Sequence, residues 1–118
     1  MRINFKKKTR ASGIEQGIEW ATVNAPMWGA VNGYARIPEG HPWRGLGYSK
    51  IDVEAPGGLT YGDGEWVGFD TLHAGDVWPG MNHHVGLFGR EDYDIQWTPD
   101  MVAGEARALA RRIAEAAK

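Results

Sequence analysis

In the run F-D-T-L-H-A-G-D, Asp70, His73 and Asp76 recur at three-residue intervals directly after a strand-like stretch. Carboxylates around an imidazole can share a proton or surround a cation. If the turn at Gly75 folds them back on one point, they form an O/N-rich set with an open position, suited to a divalent metal that activates water. His41 or His84 would then serve as the proton-transfer group, with His83 close by in sequence. Without a metal the same groups would contact a polar ligand. With neither, Asp70 caps a turn, His73 makes one satisfied hydrogen bond and Asp76 is solvated.

A second chemistry-bearing stretch, P-E-G-H-P-W-R-G-L-G-Y, holds Glu39, His41, Trp43, Arg44 and Tyr48 within one turn-rich loop. Trp and Tyr rings can stack on a planar group. Arg44 can fork onto a carboxylate or phosphate, and His41 can exchange a proton near neutral pH. A nucleotide-like ligand needs that combination, with Tyr61 as a further ring, although Trp43 and Tyr48 could equally be aromatics that cover an open edge of a small sheet. Gly57-Gly58-Leu59-Thr60-Tyr61 lacks the following helix and the Lys-Ser/Thr of a phosphate loop, so it reads as a glycine turn entering a strand. Ser12 and Ser49 are the only serines and neither lies in Gly-x-Ser-x-Gly, which argues against serine acyl transfer.

These loops must hang on strands and a helix. Ile18–Val23 is a β-branched and aromatic run between Gly17 and Asn24-Ala25-Pro26, and residues 28–37 form a second run with internal Gly29 and Gly33 that suggests a bulge or a close backbone approach; the two should pair as a hairpin. Residues 59–61 and 65–70 flank Gly62-Asp63-Gly64 as another hairpin. Thr98-Pro99-Asp100 supplies an N-cap, a first-turn proline and an acid at the positive end of a helix dipole. Val102, Ala106, Leu109, Ile113 and Ala117 then form one apolar stripe, while Glu105, Arg111, Arg112 and Glu115 fall elsewhere, with Arg111 and Glu115 spaced to pair. The expected fold is α+β: a small antiparallel sheet of about four to six strands with Gly-rich loops and one C-terminal amphipathic helix packed on it. It forms a single domain over residues 1–118, with residues 1–17 as a short first strand or a loose arm, basic over residues 1–12, and residues 98–117 as the helix.

Composition narrows the function class. The absence of cysteine removes disulfides, thiolate catalysis and Cys-based zinc sites, and fits a reducing compartment. A formal net charge of −2 gives no general reason to expect nucleic acid, and the one basic run, Lys6-Lys7-Lys8 with Arg10, reads as a solvated arm. No apolar stretch approaches the ~20 residues of a membrane helix and no pattern marks a secretory signal, so the expected place is the cytoplasm.

The order of Val31-Asn32-Gly33-Tyr34, Pro38-Glu39-Gly40-His41-Pro42, Gly57-Gly58-Leu59-Thr60-Tyr61, Trp66-Val67-Gly68-Phe69-Asp70 and His73-Ala74-Gly75-Asp76 resembles a family of small proteins encoded by bacteriophages and their actinobacterial hosts. The resemblance spans residues 18–115 and implies a phage accessory protein in the host cytoplasm. It departs at Pro56, where that family often has His, and at Thr71, where it often has Cys, so chemistry resting on those residues does not extend to this chain. Two functions follow as expectations. One is a binding module that captures a small polar or nucleotide-like ligand or a host protein, to counter host defence, through Glu39, His41, Trp43, Arg44, Tyr48, Tyr61, Asp70 and His73. The other is a metal-assisted hydrolase using Asp70, His73 and Asp76. Either gains if the loop around His41 and the loop around His73 meet on one face of the sheet.

Overall fold

The computed structural model describes residues 9–25, 29–73, 76–78 and 95–118. Its elements are β1 (Thr9–Glu15), β2 (Ile18–Asn24), β3 (Val31–Arg36), a 3₁₀ turn (Tyr48–Lys50), β4 (Tyr61–Gly62), β5 (Trp66–Phe69), β6 (Asp76–Val77), β7 (Ile95–Gln96) and helix α1 (Pro99–Ala116). Strands β1 to β5 form an antiparallel sheet in the order β1-β2-β3-β5-β4, and β6 pairs with β7 in a short parallel ladder. Helix α1 lies on the sheet, which gives the α+β architecture read from the sequence.

Alternation along the strands decides which face meets the helix. Trp20, Val31, Ala35, Val67 and Phe69 point to one side and share a core with Val102, Ala106, Leu109 and Ile113 of α1. Leu109 and Ile113 are fully buried, so truncating either to Ala would cost roughly 2–5 kcal/mol. The other face carries Ile14, Glu19, Arg36 and Trp66 in one cross-strand row and Ser12, Ala21, Tyr34, Gly68 and Tyr61 in the next. Arg36 donates to Glu65 at 2.6 Å, which holds its guanidinium pKa above the ordinary value. Among the described residues, no helix is long and apolar enough to cross a membrane.

Glycines inside the strands are there to admit rings. Gly33 pairs with Phe69, Gly68 with Tyr34 and Gly13 with Trp20. A Cβ at Gly33 or Gly68 would stand 2.3 Å from the opposite ring, so each aromatic lies flat across its partner's backbone. The close approach expected at Gly33 is therefore real. The irregularity in register instead falls in β1, between Thr9 and Ala11, while β2 and β3 pair without a shift.

Several boundaries differ from the sequence reading. Of residues 1–17, read as a short first strand or a loose arm, Thr9–Glu15 form β1, which turns into β2 through Gln16 and Gly17, both at positive φ as a two-residue hairpin loop requires. The run 28–37 narrows to Val31–Arg36 and the run 59–61 moves to Tyr61–Gly62. The helix begins as its cap dictates, with Thr98 Oγ1 accepting from Met101 N at 3.2 Å. Arg111 meets Glu15 at 3.5 Å instead of Glu115, which pairs with Lys118: β1 runs alongside the helix and offers Arg111 a carboxylate from outside it. Residues 1–8, Trp28, His83 and His84 lie outside the described residues.

Candidate functional site

His41 is a structural joint. Its ring is buried, with 6% of the residue exposed. The Trp43 backbone N–H donates to Nδ1 at 3.0 Å, and Nε2 lies 2.8 Å from the Ile113 carbonyl. An Nδ1 that accepts leaves Nε2 to carry the proton, so the ring is a neutral Nε2–H tautomer with both nitrogens committed to main chain. This bracket ties the loop to the last turns of α1, where the helix leaves carbonyls unpaired. Arg44 is equally committed: it donates to the Ile37 carbonyl at 3.1 Å and stands 3.8 Å from Glu65. Glu39 and Tyr48 are exposed, Tyr48 resting its Cβ side against Gly62.

Trp43 remains available. Held by the His41 bracket and packed on that ring at 5.1 Å between centroids, it lines a groove of about 650 Å³ with Asp52, Glu54, Arg111, Arg112 and Glu115. The guanidinium groups beside Trp43 thus come from the helix, some 70 residues downstream, and not from the neighbouring Arg44. Arg112 donates to the Glu54 carbonyl at 3.2 Å, which fixes the strap of residues 52–54 against α1, while the Arg111 side chain is 45% exposed and, among the described residues, is paired only through its longer contact with Glu15. The volume is that of a small-molecule site.

The second region centres on His73. Asp76 Oδ2 accepts from both the backbone N–H and Nδ1 of His73 at 2.9 Å, and Asp76 Oδ1 accepts from Trp97 Nε1 at 2.8 Å. Asp76 is therefore a buried carboxylate with each oxygen satisfied, not the solvated group that its position in a turn suggested. On the other nitrogen, Nε2 faces Asp70 Oδ1 at 2.9 Å. The surroundings are stiff: Thr71 Oγ1 donates to the Val31 carbonyl, Trp78 Nε1 donates to Thr71, and Trp78 stacks with Trp97. Gly57 backs the imidazole so closely that a Cβ there would lie 2.4 Å from Cε1, and its φ of +68° is one a side chain resists.

Asp70, His73 and Asp76 come together, but not around a common point. The two carboxylates sit on different nitrogens of one ring, whose lone-pair directions diverge, and the imidazole fills the space a cation would need. Among the described residues, no group of three or more His, Asp or Glu side chains is arranged to hold a metal ion. Among the described residues the two imidazoles share no partner: one ring reaches Ile113 and Trp43, the other Asp70, Asp76 and Gly57. Each loop is anchored in its own way.

Tyr34 and Asn32 were not singled out in the sequence, yet they adjoin Asp70. Burial raises the Tyr34 pKa above 10.0, a hydrogen bond from the Asn32 amide lowers it, and the Asp70 charge raises it further. Tyr61 stands edge-on to Tyr34 at 5.6 Å and donates to Asp63 at 3.0 Å. The signal that could have found them is register: Gly33 pairs with Phe69 and Tyr34 with Gly68, which brings this end of β3 beside the end of β5 that leads into Asp70. No family model, curated protein or solved structure matches the chain.

Proposed function

We propose that the chain is a binding module, and that its ligand seat is the groove lined by Trp43, Arg111 and Arg112. The observation that carries this reading is the pairing of a half-buried ring with two guanidinium groups in a cleft of about 650 Å³. A planar ring would stack on Trp43, and a phosphate or carboxylate would take the fork of Arg111, whose pairing with Glu15 is long and exposed. Asp52, Glu54 and Glu115 on the same walls would accept from hydroxyl or amino groups. That set of contacts describes a mononucleotide better than a bare anion, which the three carboxylates would repel. Taken with the motif resemblance, this supports reading the chain as a phage accessory protein that captures a nucleotide-like molecule of its host.

Isothermal titration with AMP, GMP, UMP, adenosine and inorganic phosphate tests the reading. Mononucleotides should bind, adenosine and phosphate should each bind less well, and Trp43→Ala or Arg111→Ala should weaken binding by about tenfold or more, the loss of one stacking or charge-assisted contact. Arg111→Ala is the cleaner variant, because an exposed ion pair contributes roughly 0–1 kcal/mol to stability. Silence across the panel at millimolar concentration would refute the nucleotide reading. Capture of a host protein that survives Trp43→Ala would move the binding surface elsewhere.

A further inference from the structure

A second cavity continues the Trp43 groove along helix α1. It holds about 480 Å³, and because Val53, Glu54 and Arg112 line both spaces, the two meet where Arg112 bonds the Glu54 carbonyl. Each is by itself the size of a small-molecule site. Beyond Arg112 the second cavity is lined by Pro56, Ile95 and Trp97, with Glu105 as the charged group that it does not share with the first. This end is mainly apolar. Trp97 is held by its bond to Asp76 and its stack with Trp78, while Ile95 is 43% exposed and offers an apolar side chain for a ligand to cover.

Charge follows a fixed order along this side of the helix. Glu105 lines the second cavity, Arg112 both, and Arg111 and Glu115 the first, so helix carboxylates stand at the two ends of a span of about 15 Å with guanidinium groups between them. Arg112 gives one N–H to the Glu54 carbonyl, and among the described residues the rest of its fork has no partner. We infer that the two cavities form one bipartite seat for a dinucleoside monophosphate. One base stacks on Trp43, the phosphodiester meets Arg111 and Arg112, and the second base covers Ile95 with an amino group toward Glu105. The inference rests on the nucleotide reading of the Trp43 groove and names the ligand class of that site more closely. A mononucleotide would leave the apolar second compartment empty. Across both compartments Asp52, Glu54, Glu105 and Glu115 outnumber the two arginines, so a single central negative charge is accommodated where a run of phosphates would be repelled. Bases that carry exocyclic amino groups donate at the two ends, where the carboxylates accept.

Isothermal titration of the whole protein with ApA, UpU and the methyl ester of AMP separates the compartments. The ester carries the same phosphodiester charge as ApA and a single base. ApA should bind about tenfold more tightly than the ester, well beyond the statistical advantage of carrying two bases, and UpU, which lacks amino groups, should bind more weakly than ApA. Glu105→Gln and Ile95→Ala should each erase most of the gap between ApA and the ester while leaving the affinity for the ester unchanged, which also reports that the variants are folded. Equal binding of ApA and the ester, equal binding of UpU and ApA, or full ApA affinity in both variants would each overturn the bipartite seat and leave the mononucleotide seat standing. ApA binding that survives Trp43→Ala would remove the first base from the groove and end both readings. Silence of every nucleotide at millimolar concentration would do the same.

Discussion

His41 and His73 carry the same side chain in similar Gly-rich loops, and the chain uses them in opposite ways. The partners of His41 are a backbone N–H and a backbone carbonyl, neither of which can change charge. An imidazole between them is locked in one tautomer and acts as a bracket between a loop and a helix end. The partners of His73 are two carboxylates, one buried and satisfied, the other partly exposed with an oxygen to spare. A ring between them stays coupled to whatever approaches Asp70. Burial separates the two as well: His41 is sealed, whereas 35% of the His73 side chain meets solvent. The kind of hydrogen-bond partner, more than the presence of histidine, marks where chemistry is available.

The largest effect should come from His41→Ala. It leaves the Ile113 carbonyl and the Trp43 N–H without their buried partner and opens a cavity, costing about 3 kcal/mol and lowering Tm by roughly 10 °C or more. His73→Ala, at a side chain about one-third in solvent, should cost only about 1 kcal/mol, because Asp76 keeps Trp97 Nε1 and a backbone N–H. Urea unfolding of the two variants side by side checks the contrast. Equal losses would mean that His73 is as much a bracket as His41.

Next in size is Gly57→Ala. Positive φ and the collision with the imidazole act together, for a destabilisation of about 1–2 kcal/mol. The imidazole proton resonances of His73 should move while those of His41 stay in place. If both move, the two loops are coupled through contacts beyond those that hold each one.

How far the sequence reaches follows from how local each determinant is. Thr98, Pro99 and Asp100 write the start of α1 within three residues, and Asp63 accepts from the N–H groups of Glu65 and Trp66 to close the β4–β5 turn; both were legible. Gln16-Gly17 is a less usual pair for a two-residue hairpin loop, so residues 1–17 read as either a short first strand or a loose arm and the β1–β2 turn was not picked out. Long-range choices were not legible at all. Nothing within the loop says that His41 will find Ile113, that Arg44 will turn to Ile37 and Glu65, or that the arginines at Trp43 will be Arg111 and Arg112. The spacing of Asp70, His73 and Asp76 announced a cluster correctly, but spacing cannot tell a cage around a cation from carboxylates on two edges of one ring. Trp97, which fixes Asp76 from just before the helix, decides that geometry and lies 21 residues away.

The smallest expected effect is alkaline and tests whether Asp70 belongs electrically to the sheet face. The Tyr34 pKa is raised in the folded state, by burial first and by the Asp70 charge in addition. Below pH 10.0 the hydroxyl is protonated in both folded and unfolded chains, so its contribution is complete there. As pH rises from 10.0 through the folded value, the unfolded chain gives up the proton first, binds fewer protons than the native state, and stability falls. Tyr34→Phe should remove that share of the alkaline slope in urea midpoints measured at pH 9.5 and 11, whatever constant cost the variant carries from losing its bond to Asn32. Asp70→Asn should bring the ionisation of Tyr34, followed by absorbance at 295 nm, part of the way back down, with burial sustaining the rest. His41→Phe, which keeps a ring between loop and helix, should leave that titration where it was; a matching shift would join the two regions that every other contact keeps apart.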